Sequence, residues 1–255
     1  MSAVRLESEP RGIARLTLAR PDVKNAFDAR LIADLTRAVG EIDRDARAVI
    51  LASEGDAFCA GADVAWMRSM AEYTREENLA DSRALAAMYR ALYELPMPLV
   101  ARVQGAAIGG GAGLVAVADI AVASTAAFFA FAEVRVGILP AVVSPYVVLK
   151  VGPARATALF VTGARIDATR AHDIGLVERL AEPAELDAAV GRVVDAILEG
   201  SPAAVNAAKR LVREVEGRPP AEVADLTVSR IADIRVSGEG QEGLRAFLEK
   251  RKPRW

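Results

Sequence analysis

Two glycine-bearing stretches hold the residues best suited to chemistry in this sequence. The first is Phe58-Cys59-Ala60-Gly61-Ala62-Asp63 and the second is Gly109-Gly110-Gly111-Ala112-Gly113. Small residues let a ligand approach the backbone, and free N–H groups at a helix start favour developing negative charge. Two such amides converging on one oxygen would form an oxyanion hole.

Other chemistries fit these residues less well. Gly111-Ala112-Gly113-Leu114-Val115-Ala116 satisfies the dinucleotide pattern G-x-G-x-x-A, with Glu133 near the distance of a ribose-binding acid. The next strand candidate begins at Asp119, leaving only about two helical turns after the glycines. No Lys-Ser/Thr follows the glycines, which excludes a P-loop, and no G-x-S-x-G elbow supports a serine triad. One Cys and one His cannot make a Cys/His zinc site, so no metal is expected. Cys59 reads as a small filler, His172 as a solvated or structural histidine, and Asp119 as an acceptor for backbone amides in the core.

Both stretches follow strand patterns, the position where α/β sheets bind ligands. Ala14–Leu18 alternates like a half-buried strand, while Ala48–Ala52 and Leu99–Val103 are continuously apolar, as strands covered on both faces are. Asp119–Ala123 and Leu176–Leu180 are further strand candidates. Between them, Asp28 can cap a helix whose face is Leu31, Leu35, Val39 and Ile42. A longer helix is expected from about Glu76 to Tyr93, and another between Pro153 at its first turn and Gly163 at its C-cap. After about Pro183 strands give way to helices: Ala184–Glu199, then one opened by Ser201-Pro202, then two more beyond Pro219-Pro220. The alternation says α/β, with a core over residues 1–195 and a helical region over 196–255.

Composition sets outer bounds. A chain of 255 residues with 53% hydrophobic and 26% charged residues is globular, and a formal net charge of -2 supplies no field for nucleic acid or an anionic membrane. Gly105–Phe131 is the most lipid-like run, but Asp119 interrupts it, at about 2.5–3.5 kcal/mol on insertion scales. The first residues carry no apolar signal-peptide core, so the expected compartment is the cytoplasm.

Five segments together resemble the enoyl-CoA hydratase/isomerase (crotonase) superfamily, in the expected order across essentially the whole chain. They are Asn25-Ala26-Phe27, the Ala57–Asp63 loop, Val103–Gly111, Phe131–Pro140, and Glu242–Lys252. The resemblance implies an α/β fold, a crotonase-type spiral of ββα units with a C-terminal helical oligomerisation region, and a homo-oligomer, either a trimer or a dimer of trimers. It implies an acyl-CoA thioester substrate, with no cofactor beyond the coenzyme A carried on it. By the same resemblance the amides of Ala62 and Gly110 form the oxyanion hole and Glu133 moves a proton at the α-carbon. Coenzyme A would lie along Ala60, Ala62, Asp63, Val64 and Ala65, beside Ala26, with Lys24 near the phosphates; Phe247 and Lys250 would complete a neighbouring subunit's site.

The sequence departs from the family pattern where hydratases carry a first glutamate: here stands Gly113. A single carboxylate suits double-bond isomerisation. However, Leu139-Pro140-Ala141-Val142-Val143-Ser144-Pro145-Tyr146-Val147 resembles bacterial hydratases of the methylglutaconyl-CoA type. The expectation is therefore an enoyl-CoA hydratase, with a pocket including Gly113, Pro140, Ser144 and Tyr146; the isomerase is the alternative. Turn formation around Pro145 accounts for Ser144 and Tyr146 nearly as well. Water would be activated by the substrate's own carboxylate or by Glu72, Glu76 or Glu77. A non-catalytic CoA- or RNA-binding scaffold, and decarboxylation or dehalogenation on the same hole, are also consistent with the sequence.

Overall fold

A computed structural model describes residues 2–255. Strands β1 (Val4–Glu9), β2 (Ile13–Leu18), β3 (Ala48–Ser53), β4 (Leu99–Val103), β6 (Ile120–Ser124) and β9 (Arg179–Ala181) form a sheet in the order β1-β2-β3-β4-β6-β9. The β1–β2 pair is antiparallel and the other pairs are parallel. A second, smaller sheet pairs β5 (Ala106–Ile108) with β7 (Phe128–Ala130) and β7 with β8 (Ile166–Asp167).

The two sheets result from one repeated circuit. The chain lays a strand in the large sheet, crosses to the second layer, then returns through a helix. β2 leads through Phe27 to helix α1 (Ala29–Gly40); β3 leads through Cys59 and Ala62 to α2 (Val64–Glu72), which is followed by α3 (Arg75–Tyr93). β4 leads through β5 to α4 (Gly110–Val117), and β6 leads through β7 towards α5 (Ser144–Val151). Parallel bridges Phe27↔Ala62 and Cys59↔Ala107 extend the second layer beyond β5. This is the expected spiral of ββα units.

Local chemistry explains the helices. The Asp28 carboxylate accepts from Leu31 N at 2.7 Å, and Leu31, Leu35 and Val39 are buried as their spacing requires. Thr74 and Glu77 close a capping box on α3. α6 (Pro153–Thr162) starts at its proline and ends at left-handed Gly163. Beyond α7 (Ala168–Asp173), α8 (Leu186–Glu199) lies across the back of the large sheet. There Leu186, Val190, Val193, Val194 and Leu198 pack on Ile50, Val100 and Val122, while Val49 and Leu51 face the main core.

The division expected after residue 195 therefore falls inside α8, whose apolar face is needed by the sheet as far as Leu198. The helical appendage starts at Ser201 and comprises α9 (Pro202–Val215), α10 (Pro220–Val236) and α11 (Gly238–Leu248). Two further sequence expectations shift: the strand expected at Leu176–Leu180 is β9, three residues later at its start, and Pro145 lies inside the first turn of α5 rather than in an open turn. Among the described residues no helix is long and apolar enough to cross a membrane.

Asp119 anchors the appendage. Its Oδ2 accepts from Leu99 N at 2.7 Å at the head of β4, as expected of a core acceptor. The same oxygen accepts from Lys209 Nζ on α9, whose side chain is only 8% exposed. Lys209 Nζ also donates to Met97 O at 2.8 Å. Removing the carboxylate would leave that ammonium short of a partner. Asp119→Ala is expected to cost about 1–3 kcal/mol, read as a lower urea midpoint with unchanged slope.

Candidate active site

The direction of each candidate amide follows from peptide planarity. In a trans peptide the N–H points opposite to the C=O of the same plane. Gly61 O accepts from Phe27 N at 2.7 Å, so the Ala62 N–H of that plane points away from Phe27. Gly109 O accepts from Gly113 N at 3.0 Å, so the Gly110 N–H points out of the start of α4, where no intrahelical acceptor exists.

The two loops are held against each other. Cys59 N donates to Ala106 O and Ile108 N to Cys59 O, both at 2.9 Å. Glycine is required at two of the contacts. Gly61 has φ +89° and a Cβ there would meet Ile108 O at 2.9 Å; a Cβ on Gly111 would meet Cys59 O at 2.2 Å. Gly109, with φ 53° and ψ -118°, turns the chain from β5 into α4, and its N–H is fixed on Ala130 O of β7 at 2.7 Å.

Glu133 opens a short 3-10 turn directly after the Phe-rich β7 segment. Its Oε1 would lie 3.1 Å from a Cβ placed on Gly109, so the carboxyl stands against Gly109, the residue before the amide that opens α4. Its Oε2 is buried without a hydrogen-bond partner. Burial raises its pKa above the ordinary value of 4.5. A proton-exchanging carboxyl of this kind is what α-carbon chemistry uses.

Gly113 is closed over. A Cβ there would meet Val143 Cγ1 at 2.3 Å and Tyr89 Oη at 3.1 Å. Gly113, which stands where the resemblance puts a first glutamate, is thus hemmed in by neighbouring side chains that a Cβ would strike. Glu77 is engaged in the α3 capping box, while Glu72 and Glu76 are exposed to solvent.

The remaining expected residues divide into three groups. Pro140 is buried, and Tyr146 packs on Tyr89 and Tyr93 with ring centroids 5.9 and 5.3 Å apart. Ser144 donates its hydroxyl to Ala141 O at 2.8 Å, within its own turn. On the other side, Lys24 is exposed and accepts from Ala60 N at 3.0 Å through its carbonyl, which places it beside the Ala60–Ala65 stretch. Ala62, Val64 and Ala65 are exposed there; Asp63 caps α2 by accepting from Ala65 N at 2.8 Å. Ala26 is buried and its carbonyl accepts from Arg20 Nη1 at 2.6 Å. Phe247, 82% exposed, and Lys250 lie at the end of α11, and within one chain the structure does not bring them to this site.

Sequence reasoning missed Arg20, which also bridges Asp28 at 2.9 Å and Asp63 at 3.3 Å, and it missed Tyr89 and Val143. The one available signal was Tyr89, a tyrosine on the apolar face of α3, since a buried phenol needs a partner. Cys59 is fully buried in the main core, and burial pushes its thiol up to about 12.

Residues 8–255 match the enoyl-CoA hydratase/isomerase family. The chain belongs to that family. A solved protein of Legionella pneumophila, described as an enoyl-CoA hydratase/isomerase (crotonase), shares the fold with TM-score 0.94 at 41% identity, over 99% of this chain and 98% of that one. The short-chain-enoyl-CoA hydratase of Clostridium acetobutylicum is 30% identical over 99% of this chain and 97% of its own. The trans-2-decenoyl-acyl-carrier-protein isomerase of Streptococcus mutans is 29% identical over 96% of this chain and 94% of its own. Family membership thus spans hydration and isomerisation.

Two stability measurements test the geometry. Gly113→Ala is expected to cost about 1–3 kcal/mol by overpacking; in the Val143→Ala background the 2.3 Å contact with Cγ1 is gone while Cβ remains at 2.9 Å, so the same substitution should cost less, a coupling readable in a double-mutant cycle. For Glu133 the folded pKa is raised, so its contribution to stability is present below the unfolded value and is lost as pH rises through the folded one. Glu133→Gln keeps the neutral form. Its urea midpoint is expected above wild type at neutral pH, with the gap closing as pH falls towards the ordinary carboxyl range.

Proposed function

We propose that this protein is an enoyl-CoA hydratase in which Glu133 alone moves the protons, on an oxyanion hole formed by the amides of Ala62 and Gly110. The observation that carries it is the half-buried Glu133 carboxyl standing against Gly109 with its Oε2 unpartnered, one residue before Gly110, whose N–H opens α4 without an intrahelical acceptor. The thioester carbonyl docks on the two amides, which stabilise the negative charge as the enolate forms. Water adds its oxygen to C3 and gives one proton to a Glu133 oxygen. The enolate then takes a proton at C2 from the same carboxyl, and Glu133 returns to its starting form. The partner-free Oε2 and the Oε1 facing Gly109 offer two oxygens for this exchange.

The acyl group points towards Val143, Pro140 and Tyr146, and the likeness of the 139–147 segment to methylglutaconyl-type hydratases supports a branched, carboxylated substrate. In that class the substrate's own carboxylate is available to help orient water. Lys24 faces the phosphates of coenzyme A along Ala60–Ala65, with Arg20 fixing the Ala26 carbonyl and Asp63 behind it. Exposed Phe247 and Lys250 serve a neighbouring subunit's site in a trimer or paired trimer.

Isomerisation between 3-enoyl and 2-enoyl thioesters is the second reading, favoured by one observation: Val143 closes the Gly113 position, so the site has a single carboxylate. Incubation with 2-enoyl-CoA, 3-enoyl-CoA and a methylglutaconyl-type thioester separates the two by mass. Hydratase activity adds one water, whereas conversion without mass change establishes the isomerase. In either case Glu133→Gln is expected to lower kcat by about 10²–10⁴-fold; full activity in that variant overturns both.

A further inference from the structure

On the enoyl-CoA reading, the quality of the site depends on how firmly the Gly110 N–H is aimed. The sequence makes this difficult, because Gly109, Gly110 and Gly111 are consecutive glycines, the least conformationally restricted backbone available. The Gly109 N–H is fixed on Ala130 O, and the Gly109 carbonyl on Gly113 N. The Gly110 carbonyl lies in the next peptide plane, shared with Gly111, and Tyr89 Oη donates to it at 2.6 Å across 21 positions of sequence, which restrains ψ of Gly110.

Tyr89 is well placed for this. It is fully buried on α3, and its ring packs beside Phe27 at 6.4 Å and Tyr146 at 5.9 Å between centroids. The same hydroxyl lies 3.1 Å from where a Cβ would stand on either Gly110 or Gly113, so it fills the space that both glycines leave. The Phe27 ring crowds the same Cβ position of Gly110, at 2.9 Å. Phe27 is also the residue whose N–H fixes the Gly61 carbonyl and hence the Ala62 amide. Burial and the nearby Glu133 carboxyl hold the phenol well above its ordinary pKa, so it remains a donor. Because that proton is committed to the Gly110 carbonyl, Tyr89 is not a proton donor to substrate.

We propose that Tyr89 is a positioning residue for thioester activation: by holding the Gly110–Gly111 peptide plane and packing against Gly110 and Phe27, it keeps the first turn of α4 in the conformation from which the neighbouring Gly109–Gly110 plane, secured by Gly113 N, aims the Gly110 N–H. The proposal rests on the enoyl-CoA reading above. Tyr89→Phe keeps the ring and removes only the hydroxyl.

The test uses a chromophoric thioester, 4-dimethylaminocinnamoyl-CoA, whose absorption moves to longer wavelength when its carbonyl is polarised. The full-length wild-type protein is expected to red-shift the bound probe. Tyr89→Phe is expected to lose at least about half of that shift, with probe affinity and KM within about twofold and kcat on an enoyl-CoA lowered about tenfold, less than direct removal of an oxyanion donor causes. A normal wild-type shift that is unchanged in Tyr89→Phe, or a loss seen in KM alone, overturns the proposal. If wild type gives no shift at all, the thioester reading itself fails and the proposal falls with it. Should the phenylalanine variant fail to fold, 3-fluorotyrosine at position 89 keeps the ring and donates more strongly. It is expected to preserve or enlarge the shift, and a smaller shift overturns the proposal.

Discussion

Peptide planarity is the constraint from which this site is built. An amide cannot be aimed by itself; it is aimed by securing the carbonyl on the opposite side of the same plane. The Gly61 carbonyl is held by Phe27 N and the Gly109 carbonyl by Gly113 N, so the Ala62 and Gly110 N–H groups are both directed from behind. The second layer of short strands gives these anchors their setting. Phe27, Cys59, Ala107 and Phe129 each contribute to it through bridges or short pairings that look negligible as secondary structure. The large sheet bears most of the packing, and the small layer fixes the direction of the peptides.

The environment of the acid is the counterpart. Glu133 gives up hydration and receives no partner for Oε2, an arrangement that raises its pKa and works against folding at neutral pH. Proteins commonly concentrate such unfavourable groups where chemistry occurs. The same interior treats its other polar groups differently. Cys59 is held as a thiol, and Tyr89 keeps its proton on a backbone carbonyl. Val143 packed on Gly113 closes that position; on the proposed reading, with Glu133 as the one carboxylate, water addition and double-bond migration differ in substrate geometry more than in protein machinery.

Legibility in the sequence followed the range of the interactions. Helices with local signals were readable: Asp28 at the start of α1, Pro153 and Gly163 at the ends of α6, Ser201 at the start of α9. Buried strands β3 and β4 were readable as apolar runs. Strands β5, β7 and β8, of three, three and two residues, were not, because segments that short complete no period. For the site, Glu133, Ala62 and Gly110 stood out through family resemblance, whereas the closure of Gly113 by Val143, 30 positions later, depends on tertiary packing. The 21-position reach from Tyr89 to Gly110 is of the same kind.

The cover that α8 lays over the back of the large sheet also bears on how the chain is made. Ile50, Val100 and Val122 present an apolar surface on three neighbouring strands, and its lid ends only at Leu198. A ribosome elongating at about 5–20 residues per second would release those strands several seconds before their cover. Parallel strands already form late, since each needs a long crossover closed first. The nascent chain therefore passes through a stage in which a half-built sheet displays one greasy side, the stage at which a chaperone would find most to hold.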